Sequence, residues 1–130
     1  MQAIAPAQPA SGRVDEVRLA VPAEPEYAHV VRLTVTAVAA RIGFDYDEIE
    51  DLRIAVGEMC GILVLDEPGA RLTVRCSATD AEVTVEASRE PASPTITVGE
   101  LSDQILRAVV DTFAVDPDEA RVTITKHRQG

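Results

Sequence analysis

The sequence predicts a two-layer α+β sandwich in which helices cover one face of a mixed or antiparallel β-sheet. Three observations support this prediction. The chain has 130 residues, of which 46% are hydrophobic, which suits one domain with a substantial core. Short segments alternate between apolar and polar residues, a pattern typical of half-buried strands. Longer segments carry apolar residues every three or four positions, as amphipathic helices do.

Composition separates one folded domain from short tails. Residues 1–12 are rich in proline, alanine and glutamine and show no periodicity, so we expect a disordered N-terminal tail. The domain is predicted at residues 13–127, followed by a C-terminal tail at 128–130. No apolar run reaches the roughly 20 residues that span a bilayer. No secretory signal pattern is visible either, so we expect a cytoplasmic protein that does not enter a membrane.

The charge balance and the cysteines limit the classes of partner and the compartment. Acidic residues outnumber basic ones by 22 to 12, which gives a net charge of −10. Such a surface repels phosphate backbones, so we expect no direct nucleic-acid binding and favour a basic protein partner. Cys60 and Cys76 lie in apolar segments and are interpreted as reduced, buried thiols, with redox sensing as the alternative.

The first half of the chain predicts one strand and two helices. Alternation from Arg13 to Val21 indicates a strand with Val17, Leu19 and Val21 on one side. The helical spacing of apolar residues predicts a first helix over residues 26–42.

The second helix, predicted to run from about residue 46 to 65, has two apolar sides. Asp45 and Glu48 form a capping-box pattern at its start, and Gly43 separates it from the first helix. Its core stripe consists of Ile49, Leu52, Val56, Met59 and Leu63. A second line, spaced by four, consists of Ile54, Glu58 and Ile62. The acidic run at 45–51 is either a docking patch or a set of charges that stabilises the helix N-terminus.

A β-hairpin is predicted next. Residues 71–77 and 82–87 alternate and are joined by a tight turn, with Arg75 expected diagonal to Glu82 and Glu86 on the outer face.

The last third predicts a loop, a helix and a strand. Residues 88–95 are expected to be a loop, and Thr97 with Glu100 resembles a second capping box. A third helix is predicted over 98–113 and a final strand over 120–126. The residues of this helix expected to face inward are Leu101, Ile105, Ala108, Val109 and Thr112.

Residues 51–60, DLRIAVGEMC, resemble the N-box helix of the GHKL ATPases. They are most similar to the small bacterial anti-sigma factors that are also serine-protein kinases, the RsbW-like family. The resemblance extends over about residues 14–126 and implies the GHKL fold. In that family a glutamate is the general base, and an asparagine four residues later holds the magnesium of the nucleotide. Glu58 matches the base, but Ile62 occupies the asparagine position and has no oxygen donor for the metal.

The two other nucleotide motifs of the family are also altered. In the family, an Asp-x-Gly-x-Gly motif binds the adenine. The corresponding residues 87–91 of this chain are Ala-Ser-Arg-Glu-Pro, which contain neither the aspartate nor a glycine. Its glycine-rich phosphate loop is reduced to Gly99, followed by the carboxylate of Glu100, which repels phosphate. We therefore expect neither ATP nor Mg²⁺ as a cofactor, no metal site, a vestigial Glu58, and a nucleotide groove narrowed by Ile54 and Ile62.

The resemblance also implies the partners. Arg32 matches a family arginine that contacts both the sigma factor and its antagonist, and we expect His29 and Thr36 to share its exposed stripe; an ordinary solvated arginine is the alternative. The implied function is an anti-sigma factor that sequesters an alternative sigma factor. A phosphorylation-dependent, STAS-type anti-anti-sigma antagonist would release that sigma factor. A homodimer through the first strand and helix is implied as well. Two alternatives remain: an active kinase with divergent ATP-binding boxes, and a scaffold that binds the antagonist alone.

Overall fold

The computed structural model describes residues 15–65, 67–92 and 96–129. Over these ranges the chain forms two layers, an antiparallel sheet with helices packed on it. The strands are β1 (Asp15–Pro22), β2 (Arg71–Ala78), β3 (Glu82–Glu90), β4 (Thr112–Asp116) and β5 (Arg121–His127), in the spatial order β1-β2-β3-β5-β4. The helices are α1 (Ala28–Arg41), α2 (Tyr46–Leu63) and α3 (Glu100–Val109). The predicted α+β sandwich is confirmed, whereas the predicted tail at 1–12 lies outside the described residues.

The core lies between the helices and one face of the sheet. Alternate residues of the three central strands are buried there, among them Leu72, Val74, Cys76, Val83, Val85, Val122 and Ile124. The helices contribute Val31, Val35, Leu52, Val56, Met59 and Leu63, which includes most of the stripe predicted for α2. Helix α2 lies in the middle and contacts α1 on one side and α3 on the other. None of the described helices is long and apolar enough to cross a bilayer.

Local sequence signals place the start of α2 as predicted. The Glu48 amide donates to Asp45 Oδ1 and the Asp45 amide donates to Glu48 Oε1, each at 2.8 Å, so the capping box is complete. Gly43 has a φ of +96°, a left-handed conformation that favours glycine and ends α1. Helix α1 itself begins at Ala28, after a single 3₁₀ turn at Pro25–Tyr27, two residues later than predicted.

Helix α3 is shorter than predicted, and a strand follows it. The predicted helix at 98–113 is replaced by α3 and the edge strand β4, which pairs with β5. The N-cap is Gly99 rather than Thr97, so the second capping box is wrong. The inward face is also shifted, because Leu106 is buried while Leu101 and Ala108 are exposed. Residues 112–116 gain main-chain pairing with β5, and this tertiary contact outweighs their helical spacing.

Strand pairing corrects two further predictions. Strand β3 continues to Glu90, so the predicted loop at 88–95 starts later; its residues 93–95 lie outside the described part. Arg75 is directly opposite Glu86 rather than diagonal to it, and its Nη2 donates to Glu86 Oε1 at 3.2 Å. The opposite charges face each other on the outer side of the sheet.

The ends of the described chain differ in how they are held. Val17, in edge strand β1, is 39% exposed and Val21 is buried, so only one end of this strand has the predicted one-sided burial. At the other terminus the predicted tail is anchored at two residues. The Arg128 amide donates to the Ala81 carbonyl at 2.7 Å, and the Gln129 amide donates to Glu48.

Candidate functional site

The side of α2 that faces α3 carries Glu58, the predicted general-base position. Glu58 is half-buried, and its Oε1 accepts a hydrogen bond of 2.8 Å from the Ser102 hydroxyl in the first turn of α3. One carboxylate oxygen is thus engaged within the protein, and the contact holds α3 against α2. Ser102 was not predicted from the sequence. The available signal was its spacing, since it lies three residues before Ile105 and four before Leu106 and is thus a polar residue on the apolar face of α3.

The two isoleucines beside Glu58 lie in different environments. Ile62 is only 5% exposed and belongs to the core, whereas Ile54 is 44% exposed. The narrowing of a nucleotide groove by Ile54 and Ile62 stays a prediction. At the position where the resemblance expects a magnesium ligand, Ile62 presents only carbon atoms, which do not coordinate a hard cation. Among the described residues, no three His, Cys, Asp or Glu side chains are grouped to hold a metal ion.

The end of β3 carries a buried arginine where the resemblance expects the adenine-binding motif. The Arg89 side chain has no exposed surface. Its Nη1 donates to the Pro91 carbonyl at 2.7 Å and its Nη2 donates to Glu67. Its Nε is buried and has no hydrogen-bond partner among the described residues. The alternation of Val83, Val85 and Ala87 continues to this position, so the pattern contained a signal that the loop prediction overlooked.

The remaining glycine of the third motif begins α3. Gly99 is exposed and is the N-cap residue, and the first turn after it contains Glu100 and Asp103. Asp103 accepts a hydrogen bond of 2.8 Å from Arg107 one turn later. Two carboxylates in this turn oppose the binding of a phosphate at the helix N-terminus.

On α1, the three predicted partner-binding residues are not equally accessible. His29 is exposed, but Arg32 and Thr36 are half-buried, so the predicted exposed stripe holds for His29 alone. Arg32 lies against α2, with its Nη1 3.5 Å from the point that a Cβ on Gly57 would occupy. Its Nε is buried without a hydrogen-bond partner in the described part of the chain. The Thr36 hydroxyl donates to the Arg32 carbonyl at 2.8 Å, within its own helix.

Both cysteines are buried free thiols, as predicted. Burial raises the pKa of Cys60 from 9.0 to about 11, although the nearby positive charge of Arg32 lowers it in part. Burial alone raises the pKa of Cys76 from 9.0 to about 11. A thiol with so high a pKa is almost fully protonated near neutral pH, which argues against the redox-sensing alternative.

The acidic run at 45–51 serves the fold at several positions. Asp45 and Glu48 form the capping box, and Asp51 pairs with the buried Lys126 at 3.2 Å. The side chains of Tyr46 and Asp47 are exposed. The capping contacts support the helix-terminus interpretation for Asp45 and Glu48.

Two neighbouring clefts are present, one between the start of α1 and the last turns of α2, and the other between the residues before α1 and the residues that follow α2. The first has a volume of about 260 Å³ and is lined by Pro25, Ala28, Gly57, Cys60, Gly61 and Val64. The second, of about 480 Å³, shares Pro25 and Val64 and adds Glu24 and Glu67 among its lining residues. A third cleft, of about 340 Å³, lies between the end of α3 and β4. None of these three clefts is lined by Glu58.

Residues 21–104 match the family model described as histidine kinase-like ATPase domain. This match includes α1, α2, β2 and β3, the elements that carry most of the residues described above. The class of protein defined by the fold and by the position of Glu58 is therefore a histidine kinase-like ATPase domain, which agrees with the GHKL resemblance.

Individual relatives narrow the class. The chain is 32% identical over 144 residues to serine-protein kinase RsbW of Bacillus velezensis, covering 92% of this chain and 90% of the relative. It is 56% identical over 46 residues to serine-protein kinase RsbW of Bacillus subtilis, a match that covers 35% of this chain and 29% of the relative. The chain belongs to the RsbW family of histidine kinase-like ATPase domains.

A solved structure agrees with the fold. The crystal structure of the RsbU and RsbW domains of a Mycobacterium tuberculosis protein superposes with a TM-score of 0.62 at 18% sequence identity. The superposition covers 88% of this chain and 32% of that protein.

Proposed function

We propose that this protein is an anti-sigma factor that sequesters an alternative sigma factor without using ATP. The observation that carries the proposal is the contact between Glu58 and Ser102 in a chain of the RsbW family. In the position of the family's general base, one carboxylate oxygen of Glu58 accepts a hydrogen bond from α3, which supports a structural role for this residue. In this proposal the protein keeps the binding of the sigma factor and has lost phosphoryl transfer.

The chemistry of the neighbouring positions supports the loss of nucleotide binding. Phosphoryl transfer depends on a metal ion and on positive groups around the phosphates. Ile62 supplies no metal ligand, and the first turn of α3 carries the carboxylates of Glu100 and Asp103. At the end of β3, the guanidinium of Arg89 is enclosed by protein and tied to Glu67. The residues present therefore do not fit an ATP–Mg²⁺ complex.

Charge supports the kind of partner. The chain carries a net charge of −10. Sigma factors, the partners that the family implies, tend to be basic where they contact DNA and polymerase. The long-range attraction between such a protein and this acidic chain is therefore favourable. We propose release through a STAS-type anti-anti-sigma antagonist that competes for an overlapping surface, and a homodimer of the free protein through β1 and α1.

Arg32 is the residue on which the partner proposal is tested. A guanidinium pairs with carboxylates in a fixed geometry, so a hot-spot arginine contributes roughly 2 kcal/mol or more to binding. We expect Arg32→Ala to weaken binding to the sigma factor or to the antagonist by about 30-fold. Because Arg32 is half-buried against α2, a melting curve of the variant is recorded beside the titration to confirm that it is folded.

The experiment is a titration of the purified protein against each sigma factor and each STAS-type protein of the source organism. Arg53→Ala is the matched control, because Arg53 is an exposed α2 arginine that pairs with Glu50 at 3.3 Å. Failure of the unmodified protein to bind any sigma factor would overturn the anti-sigma function. Equal affinities for Arg32→Ala and the unmodified protein would place the interface elsewhere.

An active protein-serine kinase is the second candidate. It is favoured by the retained Glu58 and by the relatives that are named serine-protein kinases. Incubation with ATP, Mg²⁺ and the antagonist, followed by intact-mass analysis, separates the two candidates. A phosphorylated antagonist, absent when Glu58→Gln replaces the unmodified protein, would establish the kinase.

A further inference from the structure

We infer that the cleft between α1 and α2 and the adjoining cleft beside the residues that follow α2 form one groove, the α1–α2 groove, that binds a segment of the sigma factor, an inference that rests on the proposed function. The segment would insert one apolar side chain between the helices and present a lysine or arginine at the acidic end of the groove. Glu58 is not among the residues that line this α1–α2 groove. The groove is thus distinct from the contact between Glu58 and α3.

The groove is elongated and has a small inner cleft at one end, a shape that suits a protein segment. At about 260 Å³, the inner cleft is smaller than the roughly 300–1,000 Å³ typical of pockets for drug-sized ligands. It continues into the second cleft through Pro25 and Val64, which gives an elongated surface. The space exists because Gly57 and Gly61, one turn apart on α2, have no side chains. A Cβ built on Gly61 would meet no described atom within 4 Å.

The lining of the inner cleft is apolar. Ala28 and Pro25 stand on one side, and Cys60 and Val64 on the other. The raised pKa of Cys60 keeps its thiol uncharged, so this residue behaves as a small apolar group. A medium-sized apolar side chain from a partner would gain burial against these groups.

The two ends of the groove carry opposite charges. Arg32 lies at the Gly57 end, where its Nη1 is 3.5 Å from the Cβ position of that glycine. At the other end, Glu24 is exposed, whereas Glu67 is already paired with Arg89. This polarity orients a bound segment, with its basic residue toward Glu24 and any acidic residue toward Arg32. A basic protein such as a sigma factor suits the larger, acidic end.

The test fills the groove without disturbing the fold. Leucine at position 61 would occupy the inner cleft, and glycine is a poor helix former, so Gly61→Leu should fold with an unchanged or higher melting temperature. Ala108→Leu is the matched control, since it adds a leucine at an exposed position of α3. We expect Gly61→Leu to weaken binding to the sigma factor at least tenfold and Ala108→Leu to leave binding unchanged.

A charge variant and a chemical probe complete the test. Glu24→Lys should weaken binding to the sigma factor, with a smaller effect at high salt. In Gly61→Cys, the added thiol should react with a maleimide in the free protein and be protected by bound sigma factor. This protection remains measurable if Gly61→Leu fails to fold.

The possible results are distinct. If the unmodified protein binds no sigma factor, the proposed function and the groove are overturned together. If it binds and folded Gly61→Leu binds equally well, only the groove is overturned. If Gly61→Leu loses binding to the antagonist but not to the sigma factor, the groove binds the antagonist instead, and the inference is overturned.

Discussion

Arg89 shows what burial does to a single ionic side chain. Its guanidinium is fully enclosed, one nitrogen has no hydrogen-bond partner among the described residues, and its counter-charge on Glu67 is largely solvated. The desolvation cost of such a cation can exceed the attraction to its partner. The arrangement is therefore a weak source of stability, even though it links β3 to the segment before β2.

We predict that Arg89→Met is neutral or stabilises the fold by about 1 kcal/mol, because an apolar chain of similar length removes an incompletely bonded buried charge. Glu67→Gln should destabilise the fold, since it leaves the guanidinium without its counter-charge. Urea unfolding of both variants and the unmodified protein checks this. A loss of more than about 2 kcal/mol in Arg89→Met would show that the cation stabilises the fold.

Because the two thiols are buried, we predict that the stability of the fold decreases at alkaline pH. Their pKa values rise from 9.0 in the ordinary thiol to about 11 in the folded chain, so the folded state holds these protons more tightly than the unfolded state. Their contribution is complete below about pH 9 and is lost as the pH rises toward 11. We expect a decline of at most about 2–3 kcal/mol per thiol across this window.

The measurement is the urea midpoint at pH 7.5, 9 and 10.5. A double variant, Cys60→Ala with Cys76→Ala, is the control for tyrosine and lysine titration, and its decline should be smaller. If the double variant and the unmodified protein decline in parallel, the pKa values of the thiols are not raised in the folded state.

Helix α2 illustrates how one element is specified by short-range contacts at its start and by tertiary contacts along its length. The capping box satisfies amides at the N-terminus, and Glu48 also accepts from the amide of Gln129 near the end of the chain. Along the helix, Asp51 contacts Lys126 of β5 and Glu58 contacts Ser102 of α3. The acidic residues of α2 thus tie it to three other segments.

We predict that Asp45→Ala destabilises the protein by about 1 kcal/mol, because the Glu48 amide loses its acceptor. Asp47→Ala is the control, as this exposed residue in the first turn contributes only to the helix dipole and should cost less. Thermal unfolding followed by circular dichroism measures both. Equal losses for the two variants would mean that charge, not capping, stabilises this terminus.

In the whole molecule, α3 connects Glu58 of α2 to the sheet. Helix α3 is held at both ends, by Ser102 to Glu58 and by the Val109 carbonyl, which accepts from Lys126 Nζ at 2.9 Å. These contacts connect the predicted general-base position to the sheet. A ligand that needed α3 to move would have to break them.

We therefore predict that ATP with Mg²⁺ does not raise the melting temperature. A ligand at 100 times its dissociation constant would stabilise the fold by about 2.7 kcal/mol, which shifts the melting point of a domain of this size by several degrees. Differential scanning fluorimetry with and without millimolar ATP–Mg²⁺ measures the shift, and ADP and Mg²⁺ alone serve as controls. A reproducible rise of several degrees would contradict the prediction.

Periodicity and capping signals were sufficient to predict β1, α1, α2, the β2–β3 hairpin and the buried thiols. Each depends on contacts within one segment or on one-sided burial, both of which are visible as spacing. The altered N-box at Ile62 could likewise be recognised from the sequence, because a missing oxygen ligand is a property of the residue itself.

The remaining features depend on contacts between distant segments, which spacing does not report. Strand β4 exists because residues 112–116 pair with β5, and Arg89 is buried because β3 and its alternation continue to this position. Glu58 contacts Ser102, which lies 44 residues later in the sequence, and Arg32 lies against α2 beside Gly57, which has no side chain. The α1–α2 groove, too, is formed only when Gly57 and Gly61 face Ala28 and Pro25. A cavity is a property of two packed surfaces, so neither segment alone could predict it.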